Sequence, residues 1–244
     1  MATFKLILEY DGTAYVGWQR QPDSPTVQAV VEATLKTITQ HSISVIGAGR
    51  TDAGTHALGQ VASFRSDKPL TPEEWKRALN GLLPQDICVL AAEHVQDDFH
   101  ARYSARGKLY EYRILNRVEP SALGRHRMWH VRAPLDLNAM REAASLLVGR
   151  HDFSSFQGSP TDMENSICEL RRLEIHQEPP VIRIEVEADR FLKQMVRAIV
   201  GTLVEVGRAK RASKSVKEIL EARDRRAAGV TAPAHGLYLV RVDY

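Results

Sequence analysis

Apolar and polar residues alternate over residues 3–10, and this pattern predicts a half-buried β-strand. Ser24 and Pro25 are typical of a helix cap and first turn, and the apolar stripe that follows predicts a helix with one core-facing side. The run Thr71–Glu74 resembles a capping box with proline at the first helical position. We therefore expect a second helix that continues to about Leu83.

The remaining pattern completes two similar series of elements. We predict strands at 43–48, 59–66, 87–95, 108–115, 169–176, 181–188 and 237–242, helices at 136–148, 189–206 and 213–225, and a long loop at 157–165. The order β-α-β-β-α-β thus occurs twice, with one extra helix in the second copy. This order predicts an α+β protein of two ferredoxin-like, or RRM-like, halves at 1–105 and 106–244. We expect a largely antiparallel sheet with helices on one face and a central catalytic cleft.

Composition narrows the class of protein. The 244 residues are 43% apolar and 26% charged, which excludes disorder and coiled coil, and no apolar run approaches the ~18 residues of a membrane span. The start of the sequence lacks the cationic and apolar regions of a secretion signal, so we expect a cytoplasmic protein. Cys88 and Cys168 lie far apart in apolar surroundings, which predicts two buried free thiols.

Charge is unevenly distributed between the predicted halves. Residues 1–99 carry 8 basic and 12 acidic side chains, whereas residues 100–244 carry 25 and 18. The excess lies in two basic stretches, 100–132 and 207–226, and the first of them also contains three tyrosines and a tryptophan. Cationic and aromatic side chains together favour a polyanionic partner with bases that can stack.

The segment 47–57 contains the strongest candidate for chemistry. It follows a predicted strand and places three glycines around Arg50 and Asp52, so the backbone can turn tightly and approach a ligand closely. One interpretation is an Asx-turn, in which Asp52 only accepts backbone hydrogen bonds. The other is a nucleophile or anionic site, because the nearby guanidinium of Arg50 favours the ionised carboxylate.

Residues 49–57, Gly-Arg-Thr-Asp-Ala-Gly-Thr-His-Ala, resemble the catalytic signature of the tRNA pseudouridine synthase A family. Five further blocks along the chain match the same family in order. These blocks are Glu9-Tyr10-Asp11-Gly12-Thr13 with Gly17-Trp18-Gln19-Arg20-Gln21, Asp98-Phe99-His100-Ala101-Arg102, Lys108-Leu109-Tyr110-Glu111-Tyr112, Phe191 to Arg197, and Ala232 to Leu237.

The resemblance implies isomerisation of uridine to pseudouridine at positions 38, 39 and 40 of the tRNA anticodon stem-loop. Such a reaction needs no cofactor and no metal. Asp52 would be the nucleophile, and addition to C1′, addition to C6 and assistance to glycal formation all remain open. Tyr110 would stack on the flipped base, Arg197 would pair with Asp52, and Arg50 would hold open the position that the base vacates.

Two other functions are compatible with parts of the sequence. A non-catalytic RNA-binding protein of tandem RRM-like units explains the basic stretches, but the aromatic stacking motif of that module is missing. An Asp-dependent nucleoside hydrolase would instead release free uracil.

The resemblance further implies a homodimer, because one protomer is small for binding a whole tRNA.

Overall fold

The computed structural model describes residues 1–159 and 165–244. The greater part of the loop predicted at 157–165 therefore lies outside the described residues. The chain divides into two compact units, here called the first unit (1–106 with 238–244) and the second unit (107–237). Each contains both helices and strands, so the protein is of the α+β class.

The first unit consists of six elements in chain order and one strand from much later in the sequence. The elements are β1 (Ala2–Tyr10), α1 (Val27–Thr39), β2 (Ile46–Gly47), β3 (His56–Ser66), α2 (Pro72–Asn80), β4 (Ile87–Val95) and β10 (Leu237–Asp243). Strand β1 pairs antiparallel with both β3 and β4, and β2 pairs antiparallel with β3. Strand β10 pairs with β3 in parallel, with Tyr238 opposite His56.

Aromatic packing joins helix α2 to the strands of the first unit. Phe4 of β1 stacks on Phe64 of β3 with ring centroids 5.5 Å apart, and Trp75 of α2 meets Phe64 edge-on at 5.1 Å. The predicted capping box is confirmed, because Thr71 Oγ1 accepts from Glu74 N at 3.3 Å while Glu74 Oε2 accepts from Thr71 N at 2.8 Å. This cap fixes where α2 begins.

The second unit begins with β5 (Gly107–Leu115), and its described residues contain three α-helices. Its other elements are β6 (Trp129–His130), α3 (Leu137–Ser145), β7 (Gly149–Asp152), β8 (Ile167–Glu178), β9 (Val181–Ala188), α4 (Met195–Gly207) and α5 (Ser215–Ala222). Strands β5, β9, β8 and β7 are adjacent in that order and antiparallel, and β6 pairs with β5 in parallel. Helix α3 packs against α4 and β8.

Several predicted boundaries were wrong. Helix α1 begins at Val27 with Thr26 as its N-cap, two residues after the predicted Ser24 cap. Helix α4 begins at Met195 and not at Asp189, because Gln194 adopts a left-handed conformation with φ of 58° that cannot continue a helix. Strand β2 is only two residues long, and β6 and β7 were not predicted.

The final strand also differs from its predicted place. It was expected at 237–242 in the half that spans 106–244, but residues 238–244 belong to the first unit, where β10 lies beside β3. The hydrophobic pattern shows that a strand exists and does not show which neighbour it pairs with. The division into two ferredoxin-like domains stays a prediction.

The two thiols occupy different environments. Cys168 is buried, as predicted, whereas Cys88 is exposed on β4, between the buried Ile87 and Val89. Alternation along the strand places Cys88 on the solvent side, so its prediction as a buried thiol was wrong. In the described residues, no helix has both the length and the apolar character needed to cross a bilayer.

Candidate functional site

Asp52 lies half-buried in the loop between β2 and β3, here called the Asp52 loop (48–55). Two glycines outside the loop allow another segment of the first unit to touch it. A side chain on Gly12 would collide with the carbonyl oxygen of Thr55, and one on Gly17 would collide with that of Thr51. Gly17 also has φ of +86°, which favours glycine. Glycine is therefore required at both positions for this close approach.

Backbone hydrogen bonds hold the Asp52 loop to the segment 15–18. Trp18 N donates to Thr51 O at 3.1 Å, and Gly54 N donates to Tyr15 O at 3.2 Å. Within the loop, Thr55 N donates to Asp52 O at 3.0 Å. The backbone on both sides of Asp52 is thus fixed by main-chain atoms, which restricts the direction in which its side chain can leave the loop.

Two buried side-chain contacts lie at the base of the loop. The hydroxyls of Tyr10 and Thr51 are hydrogen-bonded at 2.8 Å, and burial raises the pKa of Tyr10 to about 12. After the loop, His56 Nδ1 accepts from Gly12 N at 3.0 Å, and the His56 ring stacks on Tyr238 of β10 at 4.8 Å. Strand β10 therefore supports the loop from its C-terminal side.

Arg50 has a different environment from the one that its spacing suggested. Its side chain is exposed, and Nε donates to Gln19 Oε1 at 3.2 Å. This bond directs the guanidinium toward the segment 17–21 of the first unit. The Asp52 loop thus presents one half-buried carboxylate and one exposed guanidinium that point to different surroundings.

A buried polar pair on helix α1 supports the same region. Gln28 Nε2 donates to Glu32 Oε1 at 3.0 Å, and Val45 N donates to the same oxygen at 3.0 Å. Arg20 forms an ion pair with Glu32 Oε2 at 3.2 Å, and Arg20 N donates to Gln28 Oε1 at 2.9 Å. The pair therefore fixes the strand that leads into the Asp52 loop and the segment that covers it.

Tyr110 and Arg197 lie in the second unit. Tyr110 is 7% exposed on β5, opposite Val186, and its ring meets Phe191 edge-on at 5.0 Å. Phe191 precedes helix α4 in an irregular segment. This arrangement leaves the Tyr110 ring buried and in a fixed orientation.

Arg197 is half-buried at the start of α4, where it holds residues 232–233. Its Nε donates to Ala232 O at 2.7 Å, and Ala232 N donates to Arg197 O at 3.0 Å. The hydroxyl of Tyr112, two residues after Tyr110, donates to Pro233 O at 2.7 Å. Burial raises the pKa of Tyr112 well above its usual value, and the charge of Arg197 opposes this shift.

The structure therefore brings Arg50 and Asp52 into one loop of the first unit and places Tyr110 and Arg197 in the second unit. Sequence reasoning missed the supporting residues Gln28, Glu32 and Tyr112. Core tyrosines are common, glutamine and glutamate are usually exposed, and no spacing in the sequence marks these three residues as part of a site.

One group of side chains in the described residues could offer ligands to a metal ion. Atoms of Glu174, His176 and Glu185 on β8 and β9 lie within 4.8 Å of one another. Arg172 already forms ion pairs with Glu185 at 3.3 Å and with Glu174 at 3.7 Å. A cation would therefore compete with a bound guanidinium, and we assign no metal to this group.

Comparisons with known proteins agree with these features. A family profile described as tRNA pseudouridine synthase matches residues 6–104 and 143–244. The chain is 46% identical over 244 residues to "tRNA pseudouridine synthase A" of Acetivibrio thermocellus, with both proteins covered in full. It is 47% identical over 246 residues to the protein of the same name in Moorella thermoacetica, again over the full length of both.

Likeness to solved structures is weaker. A chain from the "Crystal Structure of a Cbf5-Nop10-Gar1 Complex" aligns with 96% of this chain and 57% of its own length. The identity is 12% and the TM-score is 0.35, so this alignment supports no conclusion.

Proposed function

Because this chain belongs to the tRNA pseudouridine synthase family, it is an isomerase that converts uridine to pseudouridine in tRNA, and we propose that Asp52 is its nucleophile. We propose further that the targets are uridines 38, 39 and 40 of the anticodon stem-loop. The observation that supports the first proposal best is the construction of the Asp52 loop. Hydrogen bonds from the segment 15–18 hold the loop backbone before and after Asp52, while the Asp52 carboxylate is half-buried.

The reaction requires one bond to break and another to form without a net change of atoms. The N1–C1′ bond of uridine breaks, the uracil turns, C5 bonds to C1′, and the proton from C5 is lost while N1 gains one. A carboxylate can serve as a nucleophile toward the nucleoside during this exchange. Asp52 would bond to C1′ of the sugar, bond to C6 of the base, or assist formation of a glycal, and all three routes end with the bond from C5 to C1′.

A uridine within a stem must leave the stack before Asp52 can reach it. Extrusion costs a few kcal/mol, and contacts made by the protein have to offset this cost. We propose that Tyr110 stacks on the flipped base and that Arg50 helps to hold open the duplex position that the base vacates. Arg197 would be a supporting residue. The fixed ring of Tyr110 and the exposed guanidinium of Arg50 support these roles.

The proposal is tested with Asp52→Asn, which keeps the size of the side chain and removes its charge. We expect tRNA binding within about twofold of the unchanged protein and a loss of turnover of at least ~1,000-fold, as is typical when a nucleophile is removed. Asp23→Asn is the matched control, because Asp23 is exposed in a turn with φ of 51°, a conformation that asparagine tolerates. Turnover by Asp52→Asn at the normal rate would contradict the role of Asp52.

The products of the same assay separate the competing functions. Mapping of pseudouridine by carbodiimide treatment and alkali identifies the modified positions in tRNA. A hydrolase would release free uracil, and a protein that only binds RNA would give neither product. Modification confined to positions outside 38–40 would refute the proposed targets while leaving the isomerase reaction in place.

We also propose a homodimer in the cytoplasm, working without cofactor or metal, and two ferredoxin-like halves. The tRNA substrate supports the location. The antiparallel pairing of β1 with β3 and β4, and of β2 with β3, supports the first half. A sedimentation mass near that of one chain at micromolar concentration would contradict the dimer.

A further inference from the structure

Tyr103 is the one strongly exposed aromatic side chain in the described part of the protein. It is 77% exposed, whereas the other exposed large apolar side chains are aliphatic. Tyr103 lies in the turn 100–104, which follows β4 in the first unit. An exposed tyrosine alone needs no explanation, so the surroundings of the ring decide whether it has a function.

The turn holds the Tyr103 ring in place. Its ring stacks on His100 with centroids 4.3 Å apart and planes at 30°. The backbone N–H groups of Arg102 and Tyr103 both donate to His100 Nδ1 at 3.2 Å. Ser104 N donates to His100 O at 2.9 Å, and His100 N donates to Ser104 Oγ at 3.2 Å. The ring is therefore ordered before any ligand arrives, and binding loses less side-chain entropy.

The charge near the ring suits a nucleobase. The Arg102 guanidinium lies 5.6 Å from the centroid of Tyr103. Asp97 and Asp98, just before the turn, are also exposed, so the surroundings are not uniformly cationic. Carboxylates in the same segment weaken its attraction for phosphate, whereas the face of a base stacks on an aromatic ring regardless of sequence. Stacking therefore fits this turn better than contact with phosphate.

The turn is attached to the Asp52 loop. Ala101 is fully buried in a cluster with Ala48 and Val61, and Ala48 is the first residue of that loop. Ala101 N donates to Ser63 Oγ at 3.2 Å, and Tyr244 donates its hydroxyl hydrogen to Ala101 O at 2.7 Å. The turn that carries Tyr103 is therefore fixed to the Asp52 loop through buried contacts of the first unit.

We propose that Tyr103 and His100 form a stacking platform for an unpaired base of the tRNA anticodon loop, separate from the base that is modified. This inference rests on the proposed target site. The platform adds affinity and positions the stem-loop, and it takes no part in the chemistry. Base stacking on an aromatic side chain contributes enough free energy to change affinity by about tenfold or more.

The test measures the dissociation constant of an anticodon stem-loop RNA. Tyr103→Ala is expected to weaken binding about tenfold, whereas Tyr103→Phe keeps the ring and should bind within twofold of the unchanged protein. Leu82→Ala, which removes a 54% exposed apolar side chain of the same unit, is the matched control and should have no effect. Equal affinity of the alanine and phenylalanine variants would overturn the proposal.

A second arm identifies the base. RNAs that each lack one base of the loop are bound to the unchanged protein and to Tyr103→Ala. At one position the two losses should not add, because the same contact is removed twice. Additive losses at every loop position would contradict the platform.

Salt dependence and rate complete the test. The slope of log affinity against log salt should be unchanged in Tyr103→Ala, because stacking releases no counterions. The single-turnover rate at saturating protein should change less than about threefold, since the ring lies outside the chemistry. Pseudouridine mapping with the unchanged protein reports on the proposed target positions independently, so failure of either proposal is recognised separately.

Discussion

The Asp52 loop and the region around Arg197 are held in place by different means. Around Asp52, main-chain atoms of two segments touch directly, and glycine is required where they meet. Around Arg197, side chains of β5 and α4 reach across to carbonyl groups of residues 232–233. The first arrangement tolerates almost no added side-chain volume at Gly12 and Gly17. The second relies on individual hydrogen bonds at Tyr112 and Arg197, although a Cβ on Gly201 of α4 would also collide with Val230 O.

This difference determines how visible each region is in the sequence. Gly47, Gly49 and Gly54 form a recognisable pattern around Asp52 in the sequence, and Gly12 and Gly17, which the close approach requires, lie in matching blocks near the start of the chain. A tyrosine and an arginine that bind carbonyl groups look like any core tyrosine or surface arginine. Substitution of Gly12 or Gly17 should therefore displace the backbone of the Asp52 loop, whereas substitution of Tyr112 or Arg197 should reduce stability by about the value of single contacts.

The largest effect is expected for Gly17→Ala. A Cβ at this position would collide with Thr51 O and lie 3.2 Å from the carbonyl carbon of Asp52, at φ of +86°. We expect a loss of about 2–4 kcal/mol of stability from strain and overpacking. The single-turnover rate should fall by more than the decrease in the fraction of folded protein accounts for. Urea denaturation and single-turnover assays measure the two effects.

Gly81→Ala provides the control for that substitution. Its Cβ would lie 3.4 Å from Arg77 O, in ordinary contact, and Gly81 has right-handed φ and ψ. The stability of this variant should change by less than about 1 kcal/mol. If both glycine variants behaved alike, close approach to the Asp52 loop would not be the reason for glycine at position 17.

A smaller effect is expected for Glu32→Gln. The amide keeps one acceptor for Gln28 and Val45, but it loses the charge that pairs with Arg20. We expect a loss of about 1–2 kcal/mol from this buried network, together with lower turnover at unchanged tRNA affinity. The measurements are urea denaturation and the separate determination of kcat and KM.

Glu93→Gln is the matched control for Glu32→Gln. Glu93 pairs with Lys5 at 2.8 Å but is 47% exposed, so its loss should cost less than about 0.5 kcal/mol. A kcat for Glu32→Gln equal to that of Glu93→Gln would show that the pair on α1 stabilises the fold without positioning the Asp52 loop.

Tyr112→Phe probes the second region. The substitution keeps the ring and removes the hydroxyl that donates to Pro233 O at 2.7 Å. Because that carbonyl loses a donor, the free energy of unfolding should fall by about 1 kcal/mol. Thermal unfolding measures this change, and Tyr103→Phe, at an exposed site, should leave the Tm unaltered. A decrease in the free energy of unfolding several times larger would show that the region around Arg197 is as sensitive to substitution as the Asp52 loop.

The smallest effect concerns Glu205 on α4. Burial disfavours its ionisation, but Arg211 and the N–H of Val230 bind the carboxylate, so its pKa lies below the usual 4.5. The stabilisation is therefore complete above pH 4.5 and is lost as pH falls through the lower folded-state pKa. Glu205→Gln should be less stable than the unchanged protein at pH 7, and the difference in Tm should shrink in more acidic buffer. A constant difference would contradict this coupling.

The sequence predicted the elements with strong local signals. The capping box at Thr71 was enough to locate the start of α2, and alternation was enough to locate β1, β5 and β9. Both signals act over a few residues, because a cap is a local hydrogen-bond pattern and alternation reflects burial of one face of a strand. The Asp52 loop was also predicted as the candidate site. The nine residues 49–57 combine glycines that allow a tight turn with the charged side chains of Arg50 and Asp52.

Features that depend on distant residues were not predictable. The start of α4 at Met195 is set by the left-handed Gln194, whose side chain gives no such signal. The polar pair of Gln28 and Glu32 acquires its purpose only when Arg20 and Val45 fold against it. The partner of β10 is determined by tertiary packing, which periodicity does not report.

Strand β10 has a consequence for synthesis of the protein on the ribosome. It lies beside β3 and places Tyr238 on the ring of His56, at the end of the Asp52 loop. This strand is translated after every residue of the second unit. A nascent chain therefore cannot form the contacts of β10 with β3 and His56 until translation has passed β10. Truncated mRNAs that end before that point yield polypeptides that lack these contacts.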